Sequence, residues 1–295
     1  MNLSVHTIGT CCEFIKNELN GLYPDREIHS LTDLILFHIL GIQKHEIHLE
    51  KGKIINAQQI SRIAEIVKDL KRHKPIQYIF GYTEFFGLHI LVSPDVLIPR
   101  PETEELVKWI IDDHMGKSLV ILDIGTGSGC IAIALKKNLP LALVYAFDVS
   151  DAALKLAKEN AESHKLDIVF FRQDVITDST KKKIKKTGDH FYDIIVSNPP
   201  YIPLKEKPFI SLTISCFEPE DALFVPDEDP LIFCRNIAYF GLDHLKNNGI
   251  IYFEIHESSG HEVIALLEKY GYRDIILHKD INGKNRMIRC SKKNG

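Results

Sequence analysis

The chain has 295 residues, 45% hydrophobic and 26% charged, with 40 acidic against 36 basic side chains and a net charge of −4. That length favours two domains over one core, the composition is that of a globular protein, and the acidic balance excludes a chain-wide basic field for nucleic acid. The six cysteines are scattered without a C-x-x-C pair, so they read as thiols of a reducing compartment. The opening "MNLSVHTIGTCCEF" lacks the basic stretch and apolar core of a signal peptide, and no apolar run approaches the roughly 20 residues of a membrane helix. A cytoplasmic protein with no membrane partner is expected.

Residues 1–74 read as a helical domain. Ser30 is placed to cap "SLTDLILFHILGI", which Gly41 stops, and Asn56 to cap "NAQQISRIAEIVKDLKRHK". Both carry apolar residues at helical spacing, and the second ends in lysines and Arg72, which suit the negative helix end. His45 and His48 lie with Glu46 and Glu50, but no further ligand set accompanies them, so a polar surface is expected and no metal site. The natural role of this domain is to bind or position something.

Residues 75–99 change to aromatic and β-branched residues punctuated by Gly81 and Gly87, a short hairpin linking two domains. Pro101 then opens a helix with Glu102, Glu104 and Glu105 at its positive end and Trp109 on its apolar face, where core packing is expected. Arg100 has two readings, a salt-bridging hinge residue or one that orders the substrate or cofactor pocket. From residue 118 strands and helices alternate, with strands over Leu119–Asp123, Leu143–Phe147, Ile168–Phe171, Tyr192–Val196 and Ile250–Glu254. Two more follow Gly271 around the turn Asn282-Gly283. Residues 100–295 are therefore expected to be an α/β domain, an open, mainly parallel sheet with helices on both faces. The lysine run "KKKIKK", 181–186, reads as a solvated surface, with an RNA or ribosome contact as the lesser reading. "HESSGHE", 256–262, lacks the H-E-x-x-H spacing and reads as a loop and helix start.

"LDIGTGSGCIAIAL" leaves a strand and enters a helix, with Gly125, Gly127 and Gly129 alternating with Thr126 and Ser128. Such a loop lets a cofactor lie against bare backbone and turns amides of the helix start towards it. A dinucleotide fingerprint wants its third glycine one place later, where Cys130 stands. Preceded by Asp123, the loop instead resembles the S-adenosyl-L-methionine (SAM) site of Rossmann-like methyltransferases. A glycine loop that only packs helix on strand is the plainer reading. Asp148 ends the second strand, where a carboxylate accepts ribose hydroxyls; a helix-capping acid is the alternative, but Ser150 already offers that cap. Asp174, after the third strand, stands where this fold contacts adenine, or is ordinary turn chemistry.

The fourth strand delivers Asn198-Pro199-Pro200-Tyr201 to the same sheet edge. The Asn198 side-chain carbonyl and the Pro199 carbonyl, held rigid by the proline rings, form two acceptors for a planar NH2 group, and Tyr201 offers a flat face. That pattern fits methyl transfer to a delocalised amide or exocyclic nitrogen, with catalysis by orientation and no strong base. Alone, the tetrapeptide is equally a proline-rich turn.

Together these stretches resemble the HemK/PrmC family, methyltransferases that modify the glutamine of the Gly-Gly-Gln loop in peptide chain release factors. "PIQYIFGYTEFFGLHILVSPDVLIPRPETEELV" is similar to the family's linker hairpin and its "IPRP" lead-in, "LDIGTGSGCIAIAL" and "FDVSDAALKLAKENA" to its SAM elements, and "VSNPPYI" to its substrate clamp. "FEPEDALF" and "HKDINGKNRMI" are similar to later segments. The resemblance implies a helical amino-terminal domain that grips the release factor and a mainly parallel seven-stranded catalytic domain. It implies that Gly125 to Gly129, Asp148 and Asn198 bind SAM and that Asn198 to Tyr201 hold the glutamine. The chain departs from the family at Pro226 and Pro230, where a glycine-rich segment is usual, at His256 and Ser259, and at Val175, where some members carry an aromatic. Rival readings are a glutamine methyltransferase of a ribosomal protein, an adenine-amino methyltransferase of DNA or RNA, a non-catalytic binding module and an NAD dehydrogenase. The net charge, the complete clamp and Cys130 count against the last three.

Overall fold

The computed structural model describes residues 6–47, 49–179 and 191–293, so His48 and the lysine run at 181–186 lie outside the described residues. The chain divides into two compact units. One is built from the chain up to Gly81 with Leu212–Phe217, the other from Tyr82–Ser211 with the chain from Glu218 onward.

The first unit is helical: α1 (Ile8–Leu19), α2 (Asp25–Leu40), α3 (Lys44–Ile47), α4 (Ala57–Leu70) and α5 (Ile76–Phe80). Its core is aliphatic, with Ile15, Ile35, Leu36, Ile63 and Ile66 almost wholly buried. Asn56 caps α4 as expected, accepting from the Gln59 amide at 2.9 Å while the Gln59 side chain accepts from the Asn56 amide at 3.0 Å. Ser30 does not cap α2. That helix starts a turn and a half earlier, with Pro24 before it and Asp25 and Glu27 at its positive end, and Ser30 Oγ donates back to the Arg26 carbonyl. The competing start signal was the Pro24-Asp25 pair, which pre-sets φ and places acid at the helix dipole. Gly41 ends the helix at φ 68°.

The second unit begins with the hairpin β1 (Tyr82–Phe85) and β2 (Leu88–Leu91), closed by Phe86 and Gly87, both at positive φ. Then follow α6 (Pro101–His114), β3 (Val120–Ile124), α7 (Cys130–Asn138), β4 (Leu143–Asp148), α8 (Asp151–Ser163), β5 (Val169–Arg172), α9 (Val175–Ser179) and β6 (Tyr192–Ser197). A two-stranded pair, β7 (Ile202–Pro203) and β8 (Phe224–Val225), stands apart from the main sheet. After the helix Ile232–His244 come β9 (Leu245–Glu254), the helix Gly260–Lys269, β10 (Arg273–Lys279) and β11 (Asn285–Ser291).

The main sheet has seven strands in the order β10-β11-β9-β6-β3-β4-β5. The five strands from β9 to β5 run parallel, and the β10–β11 hairpin adds antiparallel to β9. The expected strands fall within a residue or two of the observed ones, except that β9 begins at Leu245. Two apolar layers cover the sheet, one with α6 and α7, the other with the helices after β8 and β9. Trp109 is half buried at the margin of the first layer, its ring stacked 3.9 Å from His278.

β3 and β6 are neighbours although β4 follows β3 in the chain, so the strand order reverses between them. A crevice opens beyond the carboxyl ends of such a pair. Asn160, fully buried in α8, ties this edge to the hairpin: its carboxamide accepts from Leu91 N at 2.7 Å and donates to Leu91 O at 3.0 Å and Ser128 O at 2.9 Å. Leaving such buried backbone groups unpaired costs about 1–3 kcal/mol each. Asn160→Ala is therefore expected to lower unfolding free energy by at least about 2 kcal/mol, read by urea denaturation; an unchanged midpoint would show that the tie is dispensable.

Candidate active site

The crevice holds a cavity of about 570 Å3, formed within the second unit. Gly125, Thr126, Gly127, Ser128, Asp148, Asp174, Asn198, Pro199 and Pro200 all line it, so most of the expected site residues are brought together. Gly129 and Tyr201 do not line it. Its apolar wall includes Phe147, Val175 and Ile237. Residues 94–97, Pro99 and Thr103 lead in from the hairpin side.

The glycine loop is held by its own strand neighbours. Gly125 N and Thr126 N both donate to the Phe147 carbonyl, at 2.9 and 3.0 Å, and Gly129 N donates to Thr126 O at 2.8 Å. Gly127 N donates to Asp148 Oδ2 at 2.9 Å. β4 and the loop itself thus consume the amides at these four positions. Gly127 has φ +55 and open space where a side chain would project. Gly129, at φ +82, would put a Cβ 3.0 Å from the Ala157 Cβ, so this glycine serves the packing of α7 on α8.

Asp148 Oδ1 accepts from Ser150 N at 2.9 Å, which together with the Gly127 bond fixes the carboxylate at the cavity rim. Each oxygen keeps a second lone pair. Ser150 is the actual cap of α8, accepting from Ala153 N. Asp174 accepts from Ile176 N at 2.8 Å and from Thr177 Oγ1 at 2.9 Å, so its carboxylate caps the short α9 while facing the cavity. Asp123 lies beneath the loop, wholly buried, and accepts from Thr126 Oγ1 at 2.6 Å. Among the described residues, Asp123 Oδ1, Ser128 Oγ and Gln173 Nε2 are buried without a hydrogen-bond partner, and the last two belong to cavity-lining residues.

Asn198 leaves β6 directly beside the loop, since Ile124 pairs with Ser197 and Ser197 Oγ donates to the Ile124 carbonyl at 2.8 Å. Its Nδ2 donates to Thr103 Oγ1 at 3.1 Å. Thr103 in turn donates to Glu254 Oε2 at 2.6 Å, and the Tyr201 hydroxyl donates to Glu254 Oε1 at 3.0 Å. Burial, then the Glu254 carboxylate, holds the Tyr201 phenol far above its ordinary range. Thr103 and Glu254 were not picked out from sequence. The available signal was an acid closing an otherwise apolar strand, "IIYFE", at the edge where ligands bind.

Arg100 forms an ion pair with Glu218 at 2.5 Å, and Glu218 also accepts from Ile98 N at 3.2 Å. The ion pair ties "IPRP" to "FEPEDALF" beside cavity-lining Pro99 and Pro219, so it is compatible with both readings of Arg100. Val175 is buried in the apolar wall. The Pro226–Pro230 segment is closed by paired hydrogen bonds from Arg235 to Asp229. His256 Nε2 lies 3.2 Å from Glu206, and Ser259 precedes the helix Gly260–Lys269.

A mainly parallel sheet with an antiparallel edge hairpin, a glycine turn, an acid after the second strand and an Asn-Pro-Pro-Tyr turn after the fourth define a Rossmann-like domain of the methyltransferase class. Residues 103–212 match the family description "Methyltransferase small domain", and residues 14–81 match "PrmC N-terminal domain". A protein of Bacteroides thetaiotaomicron named release factor glutamine methyltransferase is 44% identical over 95% of this chain and 98% of its own. One of the same name from Flavobacterium psychrophilum is 44% identical over 92% of this chain and 95% of its own. A crystal structure of a methyltransferase from Pyrococcus furiosus shares the fold, with a TM-score of 0.51, 18% identity and coverage of 81% of this chain and 100% of that one. The chain belongs to the release factor glutamine methyltransferase family. Among the described residues no helix is long and apolar enough to cross a membrane.

Burial, reinforced by the nearby Asp148 and opposed by the Thr126 hydrogen bond, pushes the Asp123 carboxyl up to about 7 from 3.8. A folded-state value above the unfolded one means the native state holds the proton more tightly, so stability falls as pH rises between these values. Asp123→Asn, which cannot ionise, is expected to flatten that decline between pH 4 and 7 in denaturation curves. A slope unchanged from wild type would remove Asp123 as its source.

Proposed function

We propose that the protein transfers a methyl group from SAM to the side-chain amide nitrogen of the glutamine in the Gly-Gly-Gln motif of peptide chain release factors. The observation that carries this is the convergence of the glycine loop, Asp148 and Asn198-Pro199 on one cavity. Family membership supports the substrate, and the helical unit, whose residues 14–81 match the PrmC N-terminal domain, is assigned to gripping the release factor. The cytoplasm, where translation terminates, is the proposed compartment.

The residues present fit SAM. Asp148 has free lone pairs for two ribose hydroxyls, and the Phe147–Val175–Ile237 wall suits a flat base. Gly125 to Ser128 shape the space for it, with Gly129 packing the helix behind them, and Asp174 is assigned to the adenine end. When bound, SAM supplies an electrophilic methyl group. The protein's own work is orientation. Asn198 Oδ1 and the Pro199 carbonyl accept the two N–H bonds of the glutamine amide and hold its nitrogen in line. Pro200 keeps that turn rigid, and Tyr201, anchored through Glu254, supports it from behind. Well-oriented reactants gain about 7–11 kcal/mol over reactants free in solution. No base is required before attack, because the amide nitrogen becomes acidic only as it gains positive charge.

Purified protein is to be given methyl-labelled SAM with release factor, ribosomal protein and oligonucleotide in parallel. Label is expected on the release-factor glutamine alone; label in nucleic acid only would contradict the proposal. Asn198→Ala is expected to lower kcat at least 100-fold while SAM affinity changes less than threefold. Asp148→Ala is expected to raise the Kd for SAM by at least about tenfold, since charge-assisted hydrogen bonds contribute about 1.5–3 kcal/mol each, and calorimetry reads the difference.

A further inference from the structure

We infer, resting on the amide-clamp reading above, that Thr103 and Glu254 are positioning residues that fix which end of the Asn198 carboxamide faces the cavity. A carboxamide has two nearly isosteric ends, an acceptor oxygen and a donor NH2. Only the oxygen end can hold a substrate N–H. The shape of Asn198 does not choose between them, and neither does Pro199.

Proton count makes the choice. The Thr103 hydroxyl has one proton, which goes to Glu254 Oε2 at 2.6 Å. Towards Asn198 it therefore presents lone pairs alone, and it selects the Nδ2 end at 3.1 Å. The hydrogen-bond chain runs one way with Glu254 anionic, the form in which both oxygens accept, Oε2 from Thr103 at 2.6 Å and Oε1 from Tyr201 at 3.0 Å. Hydrogen bonds thus run one way from both Asn198 and Tyr201 into a single carboxylate that is 1% exposed. Burial raises the Glu254 carboxyl, while the bonds from Thr103 and Tyr201 and the nearby Arg286 charge favour its anionic form. In that form both bonds run to an ionised acceptor, and such bonds are the strong ones. With Asn198 Nδ2 turned to Thr103 by one of its two N–H bonds, Oδ1 is left for the cavity that Asn198 lines.

The elements involved are rigid. Thr103 sits in the first turn of α6, Glu254 at the carboxyl end of β9, and Asn198 and Tyr201 just past β6. Thr103→Val keeps the volume and removes the hydroxyl, so Asn198 loses the partner that tells its two ends apart. Glu254→Gln introduces protons where the chain now has only an acceptor, and Thr103 is free to turn its own proton towards Asn198.

Steady-state kinetics on a release-factor substrate, calorimetric SAM binding and thermal melting are measured on the full-length chain. Thr103→Val is expected to lower kcat at least tenfold, with KM for the release factor and Kd for SAM within threefold of wild type. Thr103→Ser, which restores the hydroxyl, is expected to recover at least a third of wild-type kcat. Glu254→Gln is expected to lower kcat at least fivefold. A merely structural role predicts losses that follow melting temperature and no rescue by serine. Thr103→Val with kcat within threefold of wild type, or Thr103→Ser as impaired as Thr103→Val, overturns the inference while leaving the substrate reading intact. Glu254→Gln within twofold of wild type overturns the part assigned to Glu254. Wild-type protein that labels no release factor overturns the substrate reading, and the inference with it.

Discussion

The parallel pairing of β3 with β6 is the constraint on which the site depends. It sets Ile124 beside Ser197, so the two chains leave the sheet side by side, one into the glycine loop and the other into Asn198-Pro199. The strand order reverses at this pair, and no crossover helix fills the space beyond it. The apolar core of β3 and β6 is wholly buried on both faces, with Ile121, Leu122, Ile194 and Ile195 at 0% exposure. A one-residue slip would send every one of these side chains to the opposite face, into a layer packed for different neighbours. The same register aligns the proposed cofactor and substrate halves.

Buried acids are the second organising feature. Asp123 and Glu254 both sit at the carboxyl edge of the sheet with 0% and 1% exposure, and each is raised by burial. Burying ionisable groups is unfavourable unless hydrogen bonds compensate. Each is compensated by a threonine hydroxyl at 2.6 Å, Thr126 for Asp123 and Thr103 for Glu254. In both pairs the threonine, not the acid, lines the cavity. Arg100 and Glu218 do comparable work for the lead-in segment, where a nearly inaccessible carboxylate receives both a guanidinium and the Ile98 amide.

Much of this was legible in the sequence because the signals are local. A glycine-rich turn between strand and helix, apolar runs of strand length and a Pro-Pro stop read correctly at Gly125–Gly129, β3 to β6 and the end of β6 at Ser197. The Asn282-Gly283 turn and the Asn56 cap were equally local. Ser30 misled because serine before an apolar run is a common cap, and the Pro24-Asp25 start competed with it. Which acceptor a backbone N–H finds depends on the strand beside it, here Phe147 O and Asp148. Thr103 and Glu254 are separated by 151 positions and meet only in the fold. No spacing rule reaches that far.

The central claim is that the cavity presents the oxygen of Asn198 and the carbonyl of Pro199 to a substrate amide. A crystal structure of this protein with a release factor and the demethylated product of SAM tests it most directly. The glutamine amide nitrogen is expected within about 3.2 Å of both oxygens, with Asn198 Nδ2 still donating to Thr103. A glutamine held instead by its carbonyl oxygen against Asn198 Nδ2, or seated away from Pro199, would contradict the account.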